Sequence, residues 1–165
     1  MVRVDARDRV VRLQDVPPCD AGSPRPVVLA TEHELLVGYF LRTSIEDEEA
    51  IEAAKQPVAI VRFRRPVAST FGPPNDEAIQ GHPLAARGLE PYDAFEVLDS
   101  SWVRELERRN SVHPHHDPRR YDRLRHFVLT FHDSTFECVA EGYASVQGVG
   151  ALESLLFREA AKGPR

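Results

Sequence analysis

Cysteine is scarce in this chain: Cys19 and Cys138 are far apart in sequence and too few for a disulfide framework or a four-thiolate zinc site. Both are expected as reduced thiols, Cys138 as a small buried hydrophobe rather than a nucleophile. No run approaches the ~18 apolar residues of a membrane helix, and the opening Met1–Leu13 holds no apolar stretch of a secretion signal. The expectation is a cytoplasmic protein with no membrane partner. Aromatics are few, at 8%, and only Tyr121 interleaves the most basic stretch, so the stacking platform of a nucleic-acid footprint is missing. No P-loop or GxSxG elbow occurs. Gly148-Val149-Gly150 has Glu153 where a dinucleotide fingerprint needs its third glycine, so no nucleotide cofactor motif is present.

Proline is plentiful instead. Thirteen prolines with nine glycines, 42% hydrophobic and 28% charged residues and a net charge of −5 describe one loop-punctuated globular domain over residues 1–165. Patterning predicts strands at Arg9–Leu13, Val27–Thr31, Leu35–Arg42, Val58–Arg64 and Tyr92–Leu98. A short acidic helix is expected after Ser44, with Asp47 completing a capping box, and another over about Ser100–Asn110 with Trp102 in the core. A third short helix follows the Asp117-Pro118 cap, and a last one spans about Gly150–Lys162. Pro66–Pro91, with five prolines and three glycines, is a long connection, the kind that is usually functional or mobile. The fold class is α+β: a mostly antiparallel curved sheet or half-open barrel with two or three helices packed on one side.

The segment Phe127–Tyr143 (FVLTFHDSTFECVAEGY) is the richest in information. A two-residue turn at Asp133-Ser134 sets His132 opposite Thr135 and Thr130 opposite Glu137, and places His132 diagonal to Glu137. One face then carries Phe127, Leu129, Phe131, Phe136, Cys138 and Ala140, all core. The other carries His126, Val128, Thr130, His132, Thr135, Glu137, Val139 and Glu141, more His and Thr than a solvent face carries. A carboxylate beside an imidazole fixes its tautomer and raises its basicity, so His132 oriented by Glu137, with Thr130 beside them, is the candidate catalytic group. His82 and Asp76 from the long connection, with Arg125 and His126, are the candidate substrate contacts. The plain alternative is a cross-strand pair on an exposed sheet.

The run HFVLTFHDSTFEC (His126–Cys138), with GHPL (Gly81–Leu84), FEV and SSW (Phe95–Val97, Ser100–Trp102) and the stretch Asn110–Pro114, resembles a family of small uncharacterised bacterial proteins. The resemblance covers roughly the C-terminal two-thirds and brings no activity with it.

Two further features bear on function. His113 and His115 point to one side of an extended segment, a usable geometry for a divalent metal such as zinc, against the plainer reading of a solvated loop. Residues 104–126 hold seven arginines against four carboxylates, which can form a basic mouth for an anionic ligand or simply a solvated face. Two functional expectations follow. One is a small enzyme or binding protein for an anionic small molecule, using the hairpin His/Glu pair; the other is a non-catalytic interaction or regulatory module of the immunity type. A homodimer is compatible with either.

Overall fold

Apolar alternation broken by proline and glycine sets nine strands in the computed structural model, which describes residues 4–42 and 56–163. They are β1 (Arg9–Arg12), β2 (Val27–Ala30), β3 (Leu35–Phe40), β4 (Pro57–Arg64), β5 (Ala68–Gly72), β6 (Ala94–Leu98), β7 (Arg125–Thr130), β8 (Thr135–Ala140) and β9 (Gly142–Val149). All pair antiparallel. The first sheet runs β1-β6-β7-β8-β5 and the second β2-β3-β4-β9, and neither closes on itself. The helix expected after Ser44 lies outside the described residues. Two of the other expected helices are α-helical, α1 (Ser101–Asn110) and α2 (Leu152–Ala160), while Pro118–Arg123 winds as a 3-10 turn behind its Asp117 cap. No helix among the described residues is long and apolar enough to cross a membrane.

The α+β class holds, with a different layering. The two sheets face each other across a shared core that joins Leu35, Val37, Tyr39, Val61 and Phe63 of the second to Phe127, Leu129, Phe136 and Cys138 of the first. Each outer face is covered as well. Over the second sheet, Leu152 and Leu156 of α2 pack on Leu36, Phe40, Val58 and Ile60. Gly38 permits the close fit, since a Cβ there would stand 2.8 Å from Leu152 Cδ1. Over the first sheet, Ile79, Leu84 and Leu89 of the long connection bury against Phe95, Val97 and Val128. This is why the helices divide between two sides rather than gathering on one: β3 and β4 are buried along nearly their whole length, and a strand apolar on both faces needs cover on both.

The β7–β8 hairpin corrects the expected register. Its pairs are Thr130 with Thr135, Leu129 with Phe136, Val128 with Glu137, Phe127 with Cys138 and His126 with Val139, so the connection spans the four residues Phe131–Ser134. None of these four has a left-handed φ, whereas a two-residue hairpin turn at Asp133-Ser134 would demand one. The slip is two residues along one strand. It keeps every side chain on its expected face and changes every partner. Phe127, Leu129, Phe131, Phe136 and Cys138 are all buried as expected, and burial pushes the Cys138 thiol well up. Thr130 is not opposite Glu137, and His132 has moved into the turn. Two strands were not foreseen: β5, inside the long connection, and most of β9.

Candidate functional site

The second face of the hairpin is roofed by residues 73–91 and flanked by α1, whose start is set by Ser100: its Oγ accepts the Trp102 and Val103 N–H groups. Asp8 completes that cap by accepting the Ser101 N–H at 2.6 Å. Between roof, hairpin and helix lies a cleft of about 950 Å³, lined by Leu84, Trp102 and the Pro73-Pro74 segment and, among polar groups, by Asp8, His82, Arg109, His126, Asp133 and Glu137. A volume near 1,000 Å³ with a mostly apolar wall is what a small-molecule site requires.

Glu137 is the charged centre of the cleft. His126, diagonal to it in the true register, approaches Oε2 at 2.9 Å through Nε2, and His82, delivered by the roof, approaches Oε1 at 3.2 Å through its own Nε2. The other ring nitrogens assign the protons. His82 Nδ1 accepts the Leu84 backbone N–H at 3.1 Å, which leaves its proton on Nε2. Ser100 Oγ already accepts two backbone N–H groups, so its hydroxyl proton goes to His126 Nδ1 at 2.9 Å, and His126 likewise donates through Nε2. Burial works against the Glu137 charge, but the hydrogen bonds from His126 and His82 outweigh it and hold the carboxyl at about 2. The side chain is 22% exposed, toward the cleft.

The same network sets limits on chemistry. Ser100, His126 and Glu137 have the connectivity of a nucleophile, base and orienting acid, yet the Ser100 hydroxyl is buried with both lone pairs on the end of α1. It is a cap and not a nucleophile. Nor is this a metal centre: a histidine ligating through Nε2 needs an acceptor at Nδ1, and His82 Nδ1 faces a backbone donor. Among the described residues, no three His, Cys, Asp or Glu side chains are placed to hold a metal ion. The candidate metal pair, His113 and His115, lies exposed on its loop with ring centroids 5.9 Å apart, and His113 Nδ1 accepts the His115 N–H.

The expected His132–Glu137 contact is not formed. His132 sits in the hairpin connection, and its Nδ1 meets Asp76 Oδ2 at 3.0 Å while the Asp76 N–H binds the His132 carbonyl at 2.9 Å. Tyr92, at a left-handed φ of 63°, brings its hydroxyl to both Asp76 and His132. The hydrogen bond from Tyr92, and then that from His132, lowers the Asp76 carboxyl; the hydrogen bond to Asp76 raises His132 above its ordinary 6.5 and pushes Tyr92 up to about 12. His132 Nε2 has no partner among the described residues, and the side chain is 42% exposed. Asn75 and Asp133, the neighbours of this pair in sequence, line the cleft, which sets the pair at its rim.

The long connection thus brings His82 and Asp76 to the hairpin, where His126 shares Glu137 with His82. The other candidates stand apart. Thr130 spends its hydroxyl on the Glu90 carbonyl and the Asp93 N–H, and Arg125 is paired with Glu96 and lies over the Phe127 ring. Trp102, read only as core, also forms a wall of the cleft and meets His126 edge-on at 5.1 Å. The contacts of Tyr92 and Asp8 escaped sequence reading; nothing in their surroundings signals contact with residues 40 or more positions away.

No family model, curated protein or solved structure matches this chain.

Proposed function

We propose that the cleft binds a small organic molecule, with Glu137 at its polar end and Trp102, Leu84 and the Pro73-Pro74 segment along its body. The observation that carries this reading is an ionised carboxylate partly open to a cleft of about 950 Å³ and fixed from both sides by imidazole donors. Such a group loses little side-chain freedom when a ligand arrives. The hairpin His/Glu pair remains the centre of the site, with His126 in the place expected of His132. For catalysis, the acid/base group of this reading is His132, whose Nδ1 is held by Asp76 and whose Nε2 faces outward at the rim.

A fragment screen followed through the histidine ring resonances tests it. Ligands of the cleft are expected to shift the His82 and His126 signals and leave His113 and His115 unmoved. Hits that perturb neither cleft histidine would overturn the reading. That result would favour the interaction module, for which the supporting feature is the open edge of β5, with Phe71 47% exposed.

A further inference from the structure

Five of the seven arginines that suggest an anionic ligand are engaged with carboxylates, and the other two, Arg120 and Arg123, do not line the cleft. Arg104 pairs with Asp5, Arg108 and Arg109 both pair with Glu105, Arg119 pairs with Asp117, and Arg125 pairs with Glu96. Only Arg109 among them reaches the cleft wall, and Glu105 holds its Nε at 2.7 Å. The other natural anion site, the start of α1, is closed: Asp8 takes the Ser101 N–H, and Ser100 takes those of Trp102 and Val103. Against this stand the carboxylates of Asp8, Asp133 and Glu137. Asp8 is buried and satisfied by backbone donors, and Asp133 is exposed on the hairpin connection.

Glu137 is different from both. Its contacts are imidazole N–H groups whose second nitrogens accept, so the rings stabilise the charge by dipole and hydrogen bond without cancelling it. Each carboxylate oxygen accepts one N–H and keeps a further lone pair. A half-buried carboxylate held by imidazole hydrogen bonds, with no lysine or arginine paired to it among the described residues, has room for a countercharge, and in a partly desolvated cleft a ligand that supplies one gains more than it would in water.

Resting on the binding reading above, we propose that the molecule this cleft takes is a cation: a protonated amine or amidine on an apolar or aromatic body, its N–H groups on Glu137 and its body against Trp102 and Leu84. The charge class is thus the reverse of the one the arginine count suggests.

Three probes with one body and different heads test it: phenethylamine, phenylethanol and phenylacetate, titrated against the intact protein with the His82 and His126 ring signals as reporters. The amine is expected to bind about tenfold or more tighter than the alcohol, the scale of one charge-assisted hydrogen bond, and phenylacetate weakest of all. Glu137→Gln is expected to bring the amine down to the level of the alcohol. Because that change touches buried hydrogen bonds, Asp133→Asn on the exposed connection serves as a second variant and is expected to weaken the amine about two- to threefold without disturbing the fold. Phenylacetate binding as tightly as phenethylamine, or an amine affinity unmoved in both variants, overturns the charge assignment and leaves the binding site standing. If none of the three probes moves the His82 or His126 signals, the binding site falls and the cation with it.

Discussion

At Glu137 the sheet supplies the carboxylate and the long connection supplies an imidazole, His82; at His132 the sheet's hairpin supplies the imidazole and the connection supplies the carboxylate, Asp76. Both contacts fasten residues 73–91 to the same hairpin, and burial separates them. His82 and His126 are buried, with all four ring nitrogens engaged, whereas His132 keeps one nitrogen free at a half-exposed position. A fully engaged imidazole fixes a charge in place. A half-engaged one can take up and give back a proton, which is why the first pair anchors the connection and the proposed acid/base role falls to the second.

The sharpest way to break this comparison is to remove the carboxylates one at a time. Glu137→Ala strands two buried N–H donors and is expected to cost about 2 to 4 kcal/mol in urea unfolding. Asp76→Ala leaves Tyr92 and His132, both half-buried, to be met by water and is expected to cost less. Equal losses would show that the outer contact is as structural as the inner one.

The pH dependence separates Glu137 from His132 by sign. Glu137 is held at about 2 against an ordinary 4.5, so the folded form takes its proton less readily than the unfolded chain. Its contribution is present above 4.5 and is lost as pH falls through the window down to about 2. His132 runs the other way. Raised above 6.5 by the Asp76 hydrogen bond, it contributes below 6.5, and the contribution is lost as pH rises through its folded value. Asp76→Asn is expected to return the His132 ring titration toward 6.5 and to remove only the share of the acid limb that the lowered Asp76 carboxyl supplies, leaving the Glu137 share in place. An unchanged His132 titration in that variant would remove Asp76 as the cause.

How much of this was legible in the sequence follows from periodicity. Alternation along β7 and β8 identified both faces of the hairpin, because a side-chain period of two survives a slip of two residues. The partners did not survive it: Glu137 faces Val128 and lies diagonal to His126, so the hairpin histidine that meets this carboxylate is His126 and not the expected His132. The missing signal was the turn, since a four-residue connection without a left-handed residue leaves the same pattern as a two-residue one. Residues 66–91 stood out as a long connection from their proline content, but which side chains it would present depends on Ile79, Leu84 and Leu89 docking on the sheet. Tyr92 read as the start of a strand, and its left-handed φ, which turns the hydroxyl toward Asp76, has no mark in the local sequence.

Tyr92 also gives the finest test of the outer pair. Its hydroxyl is the largest influence lowering the Asp76 carboxyl, ahead of His132, while His132 owes its own rise first to Asp76. Tyr92→Phe removes that donor and keeps the ring beside His132, where the centroids are 6.3 Å apart. Two titrations should then part company. The Asp76 carboxyl, followed by its side-chain carbon signal, is expected to move up toward 3.8, and the His132 ring is expected to stay above 6.5 because its Asp76 contact remains. Stability should change least of all the variants, since the position is half-buried and no buried donor is left without an acceptor. If His132 instead falls back with Asp76, the tyrosine is the element that holds the pair together, and the division between an anchoring inner contact and a self-sufficient outer one must be redrawn around Tyr92.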